Sequence, residues 1–124
     1  DAQRYGCEYM LEEQLTAGPI EAAYEQIETF AAKHDAVMLT ICMDAISSSA
    51  APGVSAPSPF GLAPSLVRAL VRRIVSHAKT ISVDLCEVNP LVDEGGKTVA
   101  LAAAFCMEIL LYFRRLQSSV ENIR

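Results

Sequence analysis

Apolar side chains recur at helical spacing in three segments of the chain, and two shorter apolar segments lie between them. Residues 19–34, residues 64–79 and the segment from Thr98 into the 110s therefore predict helices. Residues 36–43 are apolar except for one threonine, which is typical of a strand buried on both faces. Residues 80–86 predict a second strand. A strand, a helix and a strand in succession predict a crossover with parallel pairing, so the pattern indicates an α/β fold.

A long loop follows the first predicted strand and occupies residues 44–63. It is rich in Ser, Ala, Gly and Pro, and its prolines exclude a regular helix because each fixes φ and lacks a backbone donor. Loops of this length inside a compact domain are uncommon and usually serve a function. The loop is therefore a candidate site.

Composition and charge restrict the classes of function. The chain has 124 residues, of which 52% are hydrophobic and 20% charged, which predicts one domain over residues 1–124 with a buried core. The net charge of −5 argues against nucleic-acid binding. The longest apolar stretch, residues 99–113, is interrupted by Glu108 and is too short for a bilayer span, so no membrane association is expected.

A cytoplasmic protein is predicted, because the cysteines are expected to be reduced thiols and no secretory signal is visible. The four cysteines, Cys7, Cys42, Cys86 and Cys106, form no C-x-x-C pair. Such spacing does not favour a zinc cluster, and reduced, mostly buried thiols are expected instead.

Two acidic residues stand where the predicted strands end, Asp44 after the first and Glu87 after the second. In open parallel sheets, ligands bind beyond the carboxyl ends of the strands, so both carboxylates can line one crevice. Such a crevice suits a divalent metal or a cationic amidine or guanidine group. The alternative is structural, with Asp44 capping the loop and Glu87 paired with an arginine.

Other polar residues are expected at the surface. His34 is interpreted as an exposed residue at a helix end rather than a catalytic base. Arg68, Arg72 and Arg73 lie opposite the apolar face of the second predicted helix. They predict a solvated or subunit-facing surface rather than an anion site.

Two sequence motifs begin in the predicted strands and occur in a fixed order along the chain. The first reads MLTICMD, followed after seven residues by PGVSAP and after three more by GL. The second reads ISVDLCEVNP and precedes the apolar helix that begins at Thr98. From about residue 36 to residue 112 the chain resembles the C-terminal part of the ureohydrolase superfamily, which contains arginase, agmatinase and formimidoylglutamase. The string APGVSAP is most similar to formimidoylglutamases.

This resemblance implies a three-layer αβα fold with a parallel sheet and a site with two manganese ions. The metals would activate a hydroxide that attacks the amidine carbon of N-formimidoyl-L-glutamate and yields glutamate and formamide. Asp44 matches the second acid of the family's metal-binding Asp-x-Asp pair, and Glu87 matches the glutamate that binds the amidinium or guanidinium group. Cys42 occupies the position of the first acid of that pair. We interpret it as an inert buried thiol rather than as a zinc ligand or a nucleophile. Ser47 stands where several relatives carry a further acid.

The family's remaining metal-binding motifs, rich in Asp and His, precede this region in a chain more than twice as long. With only His34 and His77, this sequence does not contain them, so it is expected to be the C-terminal portion of the fold. Its expected partners are the missing N-terminal half, a small amidine or guanidine substrate and further copies in a homo-oligomer. One alternative function is a metal-deficient family member that binds a ligand or regulates a partner. Another is a generic α/β interaction domain, which would be favoured if Asp44 and Glu87 lay far apart.

Overall fold

The computed structural model describes residues 2–113, in which four helices and two strands follow one another along the chain. The helices are α1 (Glu12–Ala17), α2 (Ile20–Ala32), α3 (Pro64–Val75) and α4 (Lys97–Tyr112), and the strands are β1 (Val37–Cys42) and β2 (Thr80–Cys86). Short 3-10 turns lie at Ala2–Tyr5 and Met43–Ala45. None of the helices in this part of the chain is long and apolar enough to cross a membrane.

The two strands pair in parallel, as predicted, and α3 forms the connection between them. Their register places Met38 opposite Ser82 and Cys42 opposite Cys86, with an irregularity just before Met38. Both strands therefore end at the same edge of the sheet, and the residues that follow them emerge side by side.

The hydrophobic core lies between the sheet, α3, α4 and the long loop. Val71 and Val75 of α3 pack with Phe105 of α4, and all three are at most 2% exposed. The loop contributes Ile46 and Val54, which are 0% and 3% exposed. These buried side chains attach the loop to the core although it lacks regular secondary structure.

The burial predicted for β1 and α4 is incomplete. Met38 of β1 is 68% exposed, so the prediction of a strand buried on both faces is wrong for the described residues. Val99, Met107 and Leu110 of α4 are also exposed. The elements within residues 2–113 cover only one face of the strand and one face of the helix.

The arginines of α3 are not a simple solvated surface. Arg68 Nε lies 2.6 Å from Glu108 Oε1, and Arg72 Nη2 donates to the same oxygen at 2.9 Å. Arg73 Nη2 lies 2.9 Å from Glu28 on α2. The prediction of a solvated or subunit-facing surface is therefore wrong in part, because these arginines connect α3 to its two neighbouring helices.

Glu108 belongs to this cluster although it lies in an apolar helix. The hydrogen bond from Arg72 lowers the pKa of Glu108 below its ordinary value, against the opposing effect of partial burial, and Arg68 lowers it further. A buried carboxylate needs such partners, because an unpaired charge in an apolar environment is costly. His34, by contrast, lies exposed just beyond the end of α2, as predicted.

Candidate functional site

The two acids singled out from the sequence lie at the carboxyl ends of the two paired strands. Asp44 occupies the 3-10 turn that follows β1. Glu87 directly follows β2 and has a φ of 66°, a left-handed conformation that is uncommon outside glycine. This backbone turn directs the chain away from the sheet at Glu87.

The hydroxyl group of Ser55 joins the two acids. Ser55 Oγ donates to Glu87 Oε2 at 2.6 Å and lies 3.5 Å from Asp44 Oδ2. A single oxygen within these distances of both carboxylates requires that Asp44 and Glu87 face the same cleft. The predicted juxtaposition of the two acids is therefore present, and the alternative pairing of Glu87 with an arginine is not seen among residues 2–113.

The loop reaches this position because it folds back on itself. Ser47 and Ser58 form an isolated parallel bridge, and Ile46 forms another with Leu62. The backbone of Leu62 donates to the carbonyl of Ala45 at 2.8 Å. The segment between these bridges is thereby held as a compact excursion at the end of β1.

A chain of hydrogen bonds then docks the loop against the residues after β2. Gly53 N donates to Thr98 Oγ1 at 2.7 Å, and Asn89 N donates to the Gly53 carbonyl at 2.8 Å. A Cβ atom on Gly53 would lie 2.4 Å from Asp93 Cβ, so only glycine allows this close approach. Ser55 follows two residues later, and its position depends on this contact.

Asp93 anchors the other side of the contact. Its carboxylate accepts hydrogen bonds from the backbone of Thr98 and Val99 and from the Thr98 hydroxyl, at distances of 2.8–3.1 Å. Burial raises the pKa of Asp93, but these hydrogen bonds outweigh it and leave the pKa below its ordinary value. The carboxylate satisfies the free N–H groups at the start of α4 and fixes that helix end beneath the loop.

Cys42 and Cys86 lie opposite each other at the last pair of the sheet. Both are free thiols of intermediate burial, and Cys7 and Cys106 are exposed, so the prediction of mostly buried thiols is wrong for the described residues. Cys86 Sγ lies 3.8 Å from the carbonyl oxygen of Ile41. Burial raises the pKa of the Cys86 thiol, and the neighbouring Cys42 raises it further. The shift keeps Cys86 protonated, which does not favour a nucleophile or a thiolate ligand at that position.

Asp44 suits a cation better than Cys42 does. Asp44 Oδ1 is buried and has no hydrogen-bond partner, and a divalent cation would satisfy it. Cys42 offers sulfur where manganese prefers oxygen. Within the described range, no three side chains of His, Cys, Asp or Glu come close enough together to hold a metal ion. Asp44 therefore fits a cation site to which residues beyond the described ones would have to contribute.

An apolar pocket of about 270 Å³ lies away from these acids. Phe30, Ile27 and Ile74 line it, together with Val37 and Thr80, which are the first residues of the two strands. The pocket is therefore at the amino end of the sheet, opposite the edge that carries the carboxylates.

Sequence reasoning missed Ser55 as a member of the site. The residue is part of the PGVSAP motif, but no periodicity indicates which hydroxyl of a serine-rich loop points toward a carboxylate. The available signal was the pair of glycine and proline residues before it, which are typical of a chain that approaches another backbone closely.

Comparisons with known proteins show which proteins the chain resembles. The Arginase family model matches residues 1–112. A formimidoylglutamase of Geobacillus thermodenitrificans is 86% identical over 117 residues, which cover 94% of this chain and 36% of the relative. A formimidoylglutamase of Staphylococcus carnosus is 40% identical over 104 residues, covering 84% of this chain and 34% of the relative. The chain thus spans about a third of the length of these curated relatives.

Solved structures show the same fold. Formimidoylglutamase from Bacillus subtilis superposes with a TM-score of 0.83 at 24% identity, covering 88% of this chain and 35% of that structure. Proclavaminate amidino hydrolase from Streptomyces clavuligerus also has a TM-score of 0.83, at 28% identity over 93% of this chain and 38% of that structure. These matches confirm the predicted arginase-like α/β fold and its partial extent.

Proposed function

Because the chain belongs to the arginase family, we propose that the whole protein hydrolyses a C–N bond of a linear amidine, with N-formimidoyl-L-glutamate as substrate and glutamate and formamide as products. The observation that carries the proposal is the shared cleft of Asp44 and Glu87, bridged by Ser55. Two carboxylates that face one cleft at the carboxyl edge of a parallel sheet suit a cationic substrate group.

Glu87 is the residue proposed to bind the amidinium group. It is exposed, and no cationic side chain in the described part of the chain pairs with it. Its free oxygen can therefore accept charge-assisted hydrogen bonds from the N–H groups of an amidinium. Holding that group in place would present its carbon to a nucleophile in a fixed orientation.

Asp44 is the residue proposed to contribute to a cation site. Family membership favours a divalent metal such as manganese, and the unpartnered Asp44 Oδ1 supplies a suitable oxygen. When bound, such a metal supplies a hydroxide nucleophile by lowering the pKa of water. Cys42, at the last residue of β1, would bring sulfur rather than oxygen to the neighbouring position.

The choice of substrate rests on the relatives. Those that match at 86%, 85% and 65% identity are all described as formimidoylglutamases. A metal-deficient regulatory protein gains no support from these comparisons. Assembly as a homo-oligomer and a cytoplasmic location remain predictions.

An assay of the full-length protein tests the proposal. N-formimidoyl-L-glutamate, arginine and agmatine are offered separately in the presence of manganese, and release of formamide or urea is measured. We expect formamide release from the first substrate and a strong loss of it in the Glu87→Gln variant. Absence of turnover with all three compounds would overturn the proposed function.

A further inference from the structure

The hydroxyl proton of Ser55 is directed to Glu87 rather than to Asp44. The distance of 2.6 Å to Glu87 Oε2 is that of a charge-assisted O–H···O⁻ hydrogen bond, whereas the 3.5 Å to Asp44 Oδ2 is at the limit of an interaction. A serine hydroxyl carries one proton, so only one of the two carboxylates can receive it at a time. The short contact identifies Glu87 as the acceptor.

Glu87 has few other constraints on its side chain. Its backbone is fixed in the left-handed region, but the side chain is exposed and has several rotatable bonds. In the part of the chain that the structure describes, Ser55 is the only hydrogen-bond donor to the Glu87 carboxylate. Oε1 is thereby left for a ligand, while Oε2 is held.

The position of the Ser55 hydroxyl is itself well determined. Val54, which precedes Ser55, is 3% exposed and belongs to the core cluster. Gly53 is bound through both its backbone groups, to Thr98 and to Asn89. The hydroxyl is therefore presented by a segment that cannot move independently of the end of β2 and the start of α4.

We propose that Ser55 is a positioning residue that orients the Glu87 carboxylate toward the cationic group of the substrate. The proposal rests on the proposed function, because it assumes that Glu87 binds an amidinium. Loss of the hydroxyl leaves both acids in place but allows the carboxylate to rotate. The first consequence is weaker binding of the cation, since the carboxylate must be ordered again each time a ligand binds.

The test compares three variants of the full-length protein. Ser55→Ala removes the hydroxyl and Ser55→Thr retains it. Ser58→Ala makes the same deletion in the same loop, at a residue whose side chain has no hydrogen bond to any described residue. Each variant is measured for kcat and KM with N-formimidoyl-L-glutamate and, by calorimetry, for binding of acetamidine, an amidinium probe that does not require turnover.

We expect Ser55→Ala to raise KM and the Kd of acetamidine by roughly three- to tenfold, which corresponds to one lost hydrogen bond. Ser55→Thr should remain close to the wild type, and so should Ser58→Ala. A merely structural defect would instead reduce the active fraction, which lowers kcat and leaves KM unchanged.

The two proposals fail in distinguishable ways. If the wild type hydrolyses the substrate but Ser55→Ala behaves like Ser58→Ala in both measurements, the role of Ser55 is overturned. If the wild type binds acetamidine but does not hydrolyse N-formimidoyl-L-glutamate, and Ser55→Ala still weakens the binding of acetamidine, the role of Ser55 stands and the hydrolase function does not. If the wild type neither binds nor hydrolyses an amidine, both are overturned.

Discussion

Replacing Gly53 by alanine is expected to displace the loop that carries Ser55. The new Cβ would lie 2.4 Å from Asp93 Cβ and 2.7 Å from Asp93 Cγ, distances at which one of the two backbones must shift. Forcing a methyl group into such a contact costs about 1–3 kcal/mol. The shift also weakens the hydrogen bonds to Thr98 and Asn89, which are worth about 0.5–1.5 kcal/mol each. We therefore expect a total loss of stability of about 2–6 kcal/mol.

The loss is the difference in the free energy of unfolding between each variant and the wild-type full-length protein. It is obtained from urea unfolding curves, in which the midpoint and the slope m are determined for each variant. Gly95→Ala is the matched control, because a Cβ on Gly95 meets no atom within 4 Å and carries only the strain of a φ of 62°. That strain is worth about 1–2 kcal/mol. If Gly53→Ala is no more destabilising than Gly95→Ala, the close docking of the loop on Asp93 is refuted. A displaced loop should also raise KM in the same way as Ser55→Ala.

Three further predictions concern the cluster on α4, the contact with the loop and the cation site. Glu108→Gln should reduce the drop in melting temperature that acid causes. Arg72 lowers the pKa of Glu108, so the ion pair stabilises the fold above the ordinary pKa of a glutamate, and this stabilisation is lost as the pH falls through the lowered pKa. Melting curves that keep the wild-type pH dependence would contradict this. Thr98→Val should cost about 1–3 kcal/mol in urea unfolding, since the amide of Gly53 loses its partner in a buried environment; a cost below about 0.5 kcal/mol would show that the amide finds another acceptor. Cys42→Asp should raise manganese uptake, measured by metal analysis after dialysis, because it replaces sulfur by oxygen; unchanged uptake would place Cys42 outside the cation site.

The elements of the fold were predictable because their signals are local. The helical spacing of apolar side chains and the uninterrupted apolar runs predicted α2, α3, α4 and both strands close to their observed bounds. The connection through α3 predicted the parallel pairing, and parallel pairing predicted that Asp44 and Glu87 emerge at one edge. Each step followed from a pattern within one segment and a general rule of chain topology.

The remaining features depend on contacts between distant segments. Ser55 meets Glu87 across 32 residues because the loop docks on Asp93, and the local Pro-Gly pair indicates a close approach but not its partner. Glu108 is buried although it is charged, because Arg68 and Arg72 approach it from another helix. In each case the environment that decides the outcome comes from another part of the chain.

The exposure of apolar surface could not be predicted for a related reason. Apolar runs indicate that a face is to be buried, but not which segment covers it. Met38 and Met107 are 68% and 55% exposed within the described residues, although the sequence around them is typical of buried elements. The chain spans about a third of the length of its curated relatives, and the residues within that third do not indicate which segment covers these side chains.

A crystal structure of the full-length protein with acetamidine tests the account most directly. We predict that an amidinium nitrogen lies within hydrogen-bond distance of Glu87 Oε1, that Ser55 donates to Glu87 Oε2, and that Asp44 faces the same cleft. Acetamidine bound away from this edge of the sheet, or a Glu87 carboxylate turned from Ser55 in the complex, would contradict the account.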